Sequence, residues 1–225
     1  MGPPVRRFYT PYEVAKHNLP DDCWVSFLGG VYDLTKLLNA NPGKLIEPLI
    51  KVAGKDISHW FDPSTKDLKK HICPVTNLER YYTPMGRFVH VPPVEPMCNW
   101  DTSYGIPWWK DKAYFLGQLS EKTRVVRIKN VLTDQEDTVE VPSEEAIVEI
   151  RERYLDINWH AKSYTWKSLI KQPDGRYEFG ELDMNKTLQE NGVPDEKTEF
   201  EDDHVPTDFY IPVLHVYWND DLTVA

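Results

Sequence analysis

Residues 92–118 divide this chain in two, because Pro92, Pro93, Pro96 and Pro107 interrupt whatever regular structure approaches from either side. Proline fixes φ and donates no backbone hydrogen bond, so neither a helix nor a central strand runs through such a stretch. The flanking sequence is regularly patterned. Two folding units are therefore expected, residues 8–91 and 123–225, with 92–122 as the connecting segment. A chain of 225 residues is long enough for two small domains. The connecting segment also carries Trp100, Tyr104, Trp108, Trp109, Tyr114 and Phe115. A solvated linker has no use for so many aromatics, so the segment is expected to pack back on the protein. A strap that docks a partner is the competing reading, since aromatics dominate interface hot spots.

In the first unit, Thr10, Pro11 and Glu13 suit a helix start as cap, first helical position and capping-box acid. Trp24–Leu28 reads as a strand, Gly29-Gly30 as a two-residue hairpin turn and Val31–Leu34 as the return strand. A short helix is expected from Thr35 to just before Asn41-Pro42-Gly43, then short helical pieces from Leu45 to Trp60. Tyr81–Val91 reads as extended.

In the second unit, Arg124–Lys129 alternates apolar and polar residues as a half-buried strand does. Thr133-Asp134-Gln135 is its turn and Thr138–Val141 its antiparallel partner. Ser143 is the expected cap of a helix with Glu144 and Glu145 in its first turn, where the helix dipole favours acids. Ile147, Ile150, Tyr154 and Leu155 share one face of that helix. Further extended pieces are Tyr164–Trp166, Tyr177–Phe179 and the apolar Pro212–Trp218, which is expected inside the sheet.

Tyr9–Asn18, Trp24-Val25, Val31–Thr35, Ala53–Asp56 and Phe61-Asp62 occur in the order found in the cytochrome b5 family, and this stretch resembles such a domain. Hairpin, helix and further strands over about residues 123–222, with the loop Lys186–Val193 before the last strand, resemble a ubiquitin-like β-grasp. The expected fold class is thus α+β: two small domains, cytochrome b5-like followed by a ubiquitin-like β-grasp. The chain ends without Gly-Gly, so conjugation in the manner of ubiquitin is not expected. Together the halves, with runs such as Ala53–Pro63, Gly86–Pro93 and Asn219–Thr223, are similar to a family of ciliary proteins associated with radial spokes. That resemblance implies a cytoplasmic, cytoskeletal location in the axoneme of a motile cilium and axonemal or radial-spoke proteins as partners.

The cytochrome b5 resemblance also implies haem, held by two histidines, one in a His-Pro-Gly-Gly turn and one on a later loop. Here the turn is Asn41-Pro42-Gly43-Lys44, and the second position falls near Lys66. Both inherited ligands are missing. The candidate replacements as haem ligands are His71 and then His59, with Cys73 as a soft alternative and Lys69 and Lys70 near enough in sequence to meet propionates. Each has a plainer reading: His59 hydrogen-bonded at a helix end, His71 on a charged surface turn. A metal site needs ligand geometry and not merely nearby histidines.

A formal net charge of -10 argues against a nucleic-acid or anionic-membrane partner. Cys23, Cys73 and Cys98 have neither metal-ligand spacing nor an even count, which fits a reducing compartment. No phosphate loop, nucleophile elbow or zinc set is present, and no small-molecule substrate is evident. The expected role is a non-enzymatic interaction component of the axoneme that supports ciliary beating. The alternative is an atypical haem-binding redox sensor or electron carrier in the same assembly. A reductase or hydroxylase partner domain is the weakest reading, since nothing offers a flavin site.

Overall fold

A computed structural model describes residues 8–98, 100–206 and 208–219. It resolves into two compact units, Pro11–Leu119 and the chain from Ser120 onward, with Phe8–Thr10 counted in the latter. The short strand β1 (Phe8–Tyr9) thus belongs to the second unit.

The first unit opens with α1 (Pro11–Lys16), which begins at the proline because a first helical position needs no N–H donor. Strands β2 (Asn18–Leu19), β3 (Asp22–Phe27) and β4 (Gly30–Asp33) follow, then helices α2 (Thr35–Ala40) and α3 (Glu47–Ile50). A 3-10 turn over Ser58–Trp60 leads into two small hairpins, β5 (Phe61–Asp62) with β6 (Asp67–Leu68) and β7 (Lys70–Ile72) with β8 (Glu79–Tyr81). The aromatic segment supplies β9 (Phe115–Leu119), and the sheet runs β9-β4-β3-β2. Trp108 and Trp109 are buried in this unit's core beside Phe27, Trp60, Phe61 and Phe88. Large rings need a desolvated home, and here the proline-rich segment puts them inside its own unit.

Two local expectations are corrected in this unit. Phe27 pairs with Gly30, so the turn residues are Leu28 and Gly29, at φ 48° and 76°, and not Gly29-Gly30. This hairpin needs positive φ at both positions. Leu28 accepts that strain because its N–H donates to Ser58 Oγ at 2.9 Å and its side chain packs on the core. Gly30 is required for space instead: a Cβ there would lie 2.8 Å from the Tyr32 ring. We therefore expect Gly29→Val to destabilise the first unit by about 1–3 kcal/mol, a β-branched residue at positive φ being strained. An unshifted urea midpoint would contradict the turn. The second correction is Tyr81–Val91, where the strand stops at Tyr81. Pro84 and Gly86 turn the chain, with Gly86 N–H donating to Thr83 C=O at 3.0 Å, and Phe88, Val89 and Val91 then enter the core.

The second unit contains β10 (Thr123–Asn130), β11 (Glu136–Pro142), α4 (Ile147–Tyr154), β12 (Thr165–Lys171), β13 (Tyr177–Glu181), α5 (Lys197–Asp202) and β14 (Val213–Tyr217). Its sheet order is β11-β10-β14-β12-β13, with β10 and β14 parallel and the other pairs antiparallel. The apolar last strand is interior, as its composition implied. Leu214 and Val216 point into a core closed by Ile147, Ile150 and Tyr154 of α4. Ser143 is not the cap. The helix starts after Ala146, whose N–H donates to the Glu149 carboxylate at 3.0 Å. The acids expected in the first turn are engaged elsewhere: Glu144 accepts from the Ser120 hydroxyl and Glu121 N–H, and Glu145 from Arg153.

Candidate functional site

The Asn41 turn forms one wall of a cleft of about 390 Å³ in the first unit. Helix α2 ends at Ala40, and the Asn41 Nδ2 donates back to Leu37 C=O at 2.9 Å. The amide thus closes the helix end. Pro42 and Gly43, the latter at φ 138°, then redirect the chain. Arg87, His90, Trp100 and Tyr104 also line the cleft.

His90 is the histidine that the structure brings to this turn. Its ring stacks on Tyr104 with centroids 4.1 Å apart, and its Nδ1 lies 3.0 Å from the Trp108 N–H. A backbone N–H can only donate, so Nδ1 is the unprotonated acceptor. Burial holds the His90 pKa below the ordinary histidine value, against the opposing pull of Asp101 and Asp111. The neutral ring therefore carries its proton on Nε2. An iron ligand needs the reverse arrangement, a free lone pair toward the metal and the second nitrogen donating outward.

The other sequence candidates lie outside this cleft. Lys66 is exposed in the β5–β6 turn at φ 52°. His59 is exposed on the 3-10 turn, edge-on to Trp60. His71 is exposed on β7, edge-on to Tyr82. Cys73 lies just beyond β7 and its thiol pKa is lowered to about 7, chiefly by the Thr76 hydroxyl and then by backbone N–H groups of Thr76 and Val75. Among the described residues no group of three or more His, Cys, Asp or Glu side chains is placed to hold a metal. The side chains at the Asn41 cleft do not fit a haem held by two axial histidines. Sequence reasoning missed His90 because Phe88-Val89-His90-Val91 resembles an alternating strand, and nothing local signals the fold-back onto Trp108.

The aromatic rings of this unit's core pack on one another. Trp60 stacks on Phe88 at 5.3 Å and Phe27 on Phe61 at 4.3 Å, while Trp108 meets Trp109 edge to face at 5.6 Å.

A pH prediction follows from His90. Its folded pKa is below the unfolded value of ~6.5, so the stabilisation is complete above pH 6.5 and is lost as pH falls from 6.5 toward the folded pKa. His90→Asn keeps a side-chain acceptor and tolerates the left-handed φ of 69°. The variant is expected to lose less stability than the parent between pH 7 and pH 5, measured as the shift in urea midpoint. An equal loss in both proteins would remove His90 from the acid response.

A family model described as "Cytochrome b5-like Heme/Steroid binding domain" matches residues 10–91. Curated relatives that bear the name cytochrome b5 domain-containing protein 1 include proteins of Xenopus laevis and Homo sapiens. The Xenopus laevis protein is 53% identical over 224 residues, covering 99% of this chain and 99% of its own length. The Homo sapiens protein is 52% identical over 219 residues, covering 97% of this chain and 92% of its own. A solved structure, cytochrome b5 of Ostreococcus tauri virus 2, is 46% identical over 22% of this chain and 62% of its own, with a TM-score of 0.20.

Proposed function

This chain belongs to the family of cytochrome b5 domain-containing protein 1, and on that premise we propose that it is a non-catalytic interaction component of the motile-cilium axoneme, working at the radial spokes. The observation that carries the non-catalytic reading is the Asn41 cleft, where the amide closes a helix and the lining histidine, His90, offers a protonated nitrogen. The axonemal address rests on the sequence resemblance alone. The second unit has the role of a ubiquitin-like β-grasp, supported by its strand order β11-β10-β14-β12-β13, the parallel β10–β14 pair and one helix joining β11 to β12. Such domains present surfaces, and fold alone does not dictate chemistry. Among the described residues no helix is long and apolar enough to cross a membrane.

The competing reading is a haem-binding redox module, favoured by the haem-binding description of the family model over residues 10–91. Visible spectra of the purified chain after haem addition, oxidised and reduced, separate the two. We expect no Soret band of a six-coordinate haem. A saturable Soret band that His71→Ala or His59→Ala alters would establish the haem module and those ligands; one that changes only with Cys73→Ser would assign a thiolate instead. The location is tested by expressing the tagged chain in ciliated cells. Retention in detergent-extracted axonemes, lost when spokes are missing, is the expected result; release with the membrane and matrix fraction would sink the assignment.

A further inference from the structure

We propose that the cleft bounded by β8 and the Pro92-Pro93 bend binds a phosphate monoester, through Arg80 and Arg87 together. This cleft, of about 260 Å³, is lined by both arginines and by Tyr81, Thr83, Pro92 and Pro93. Arg80 is half-buried, and its Nε is fully enclosed with no hydrogen-bond partner. Arg87 is likewise half-buried, with its Nη1 enclosed and unpartnered. Neither side chain makes an ion pair or side-chain hydrogen bond among the described residues.

The charge balance makes this arrangement unusual. The chain has 36 acidic against 26 basic side chains, yet neither of these two arginines is paired with a carboxylate, whereas Arg127, Arg151, Arg153 and Arg176 are. Both arginines line one cleft, and the strain of an unpaired buried N–H on each leaves the rest of the fork without a protein partner to compete with a ligand. Glu79 also lines the cleft, and Lys70, at 2.9 Å, offsets its charge. The cleft therefore presents two positive charges. A phosphate monoester carries about −1.5 to −2 at pH 7 and three acceptor oxygens, matching that charge and its forked donors better than a single carboxylate does. Thr83 offers a further hydroxyl donor, and the Tyr81 ring with Pro92 and Pro93 gives the ester's organic part an apolar wall. The inference does not rest on the axonemal reading; Arg87 and Val91 also line the Asn41 cleft, while Arg80, Tyr81 and Thr83 line this one alone.

The source of the phosphate is left to the experiment, on the full chain. Amide and arginine Nε–H NMR signals are followed during titration with inorganic phosphate, phosphoserine, phosphotyrosine and, as the single-charge control, acetate. Saturable shifts at Arg80 and Arg87 with a phosphate probe and not with acetate are expected. Tighter binding of an amino-acid ester than of inorganic phosphate identifies a modified side chain as the source, and the reverse order identifies the free ion. Arg87→Gln and Arg80→Gln should each weaken binding at least tenfold. Because Arg87 lies beside core residues, Arg87→Lys, which keeps the charge and loses the fork, is the reserve if the glutamine variant does not fold, and should also weaken binding. Acetate binding equal to phosphate, retention of binding in the Arg80→Gln variant, or shifts that never saturate would each overturn the site.

Discussion

Glu145→Ala is expected to lower the stability of the second unit by about 3–5 kcal/mol, because it breaks a buried, forked ion pair by removing one partner. The two side chains are 2% and 6% exposed and meet in a forked contact, Nε to Oε2 at 2.6 Å and Nη2 to Oε1 at 2.7 Å. Arg153 also donates to the Phe8 carbonyl at 2.8 Å, so the same cation fastens β1 to its unit. A buried pair of this kind is screened little by salt, and the loss should be the same at low and high ionic strength. Removing both charges is a different experiment. Glu145→Leu with Arg153→Met, of similar volume, should recover most of the loss, since the desolvation cost of both ions disappears with their attraction. The check is urea denaturation followed by NMR signals of β10 and β14. A single-variant loss below about 1 kcal/mol, the range of exposed ion pairs, would show that water reaches the pair.

Much of this architecture was legible in the sequence because it follows from periodicity. The alternation in Arg124–Lys129 requires one buried face, and Val126 and Ile128 occupy it. The apolar Val213–Tyr217 stretch fits only an interior strand, and it lies between β10 and β12. Boundaries and partners were less legible. Ser143 is a good cap by residue type, yet Glu144 and Glu145 are claimed by Ser120 and Arg153, which are distant in sequence. Local rules do not contain those contacts. The hairpin turn was misplaced by one residue for a similar reason: Leu28 holds a positive φ that a leucine normally avoids, and the Ser58 hydroxyl that supports it is thirty residues away. At the candidate site, sequence supplied the loss of the inherited ligand at Asn41. It did not supply His90, because the stacking of His90 on Tyr104 depends on the fold-back of the proline-rich segment. The same fold-back exposes why that segment carries its tryptophans.

Trp108→Ala is expected to cost the first unit about 3–5 kcal/mol, the usual range for removing a fully buried large aromatic. The ring has no solvent exposure. It meets Phe27 edge-on at 5.8 Å and Phe61 at 6.4 Å, lies 6.1 Å from Phe88, and stands edge to face with Trp109 at 5.6 Å. Truncation removes those contacts together and leaves a cavity that neighbouring rings fill only in part. The backbone N–H of residue 108 still reaches His90 Nδ1, so the loss reports on the side chain and not on the His90 hydrogen bond. The more discriminating variant is Trp108→Phe. The indole Nε1 is buried without a partner, and a desolvated unpaired donor costs about 1–3 kcal/mol. Phenylalanine removes that donor along with part of the ring, so the gain offsets much of the lost packing and the variant should remain within about 1.5 kcal/mol of the parent, as volume-adjusted apolar exchanges do. Denaturation followed by NMR signals of β3 and β4 separates this unit from the other, which is needed because a two-unit chain is not one two-state system. If Trp108→Phe were as damaging as Trp108→Ala, the indole nitrogen would have a partner in solution, and the interior of this domain would be more polar than its ring packing implies.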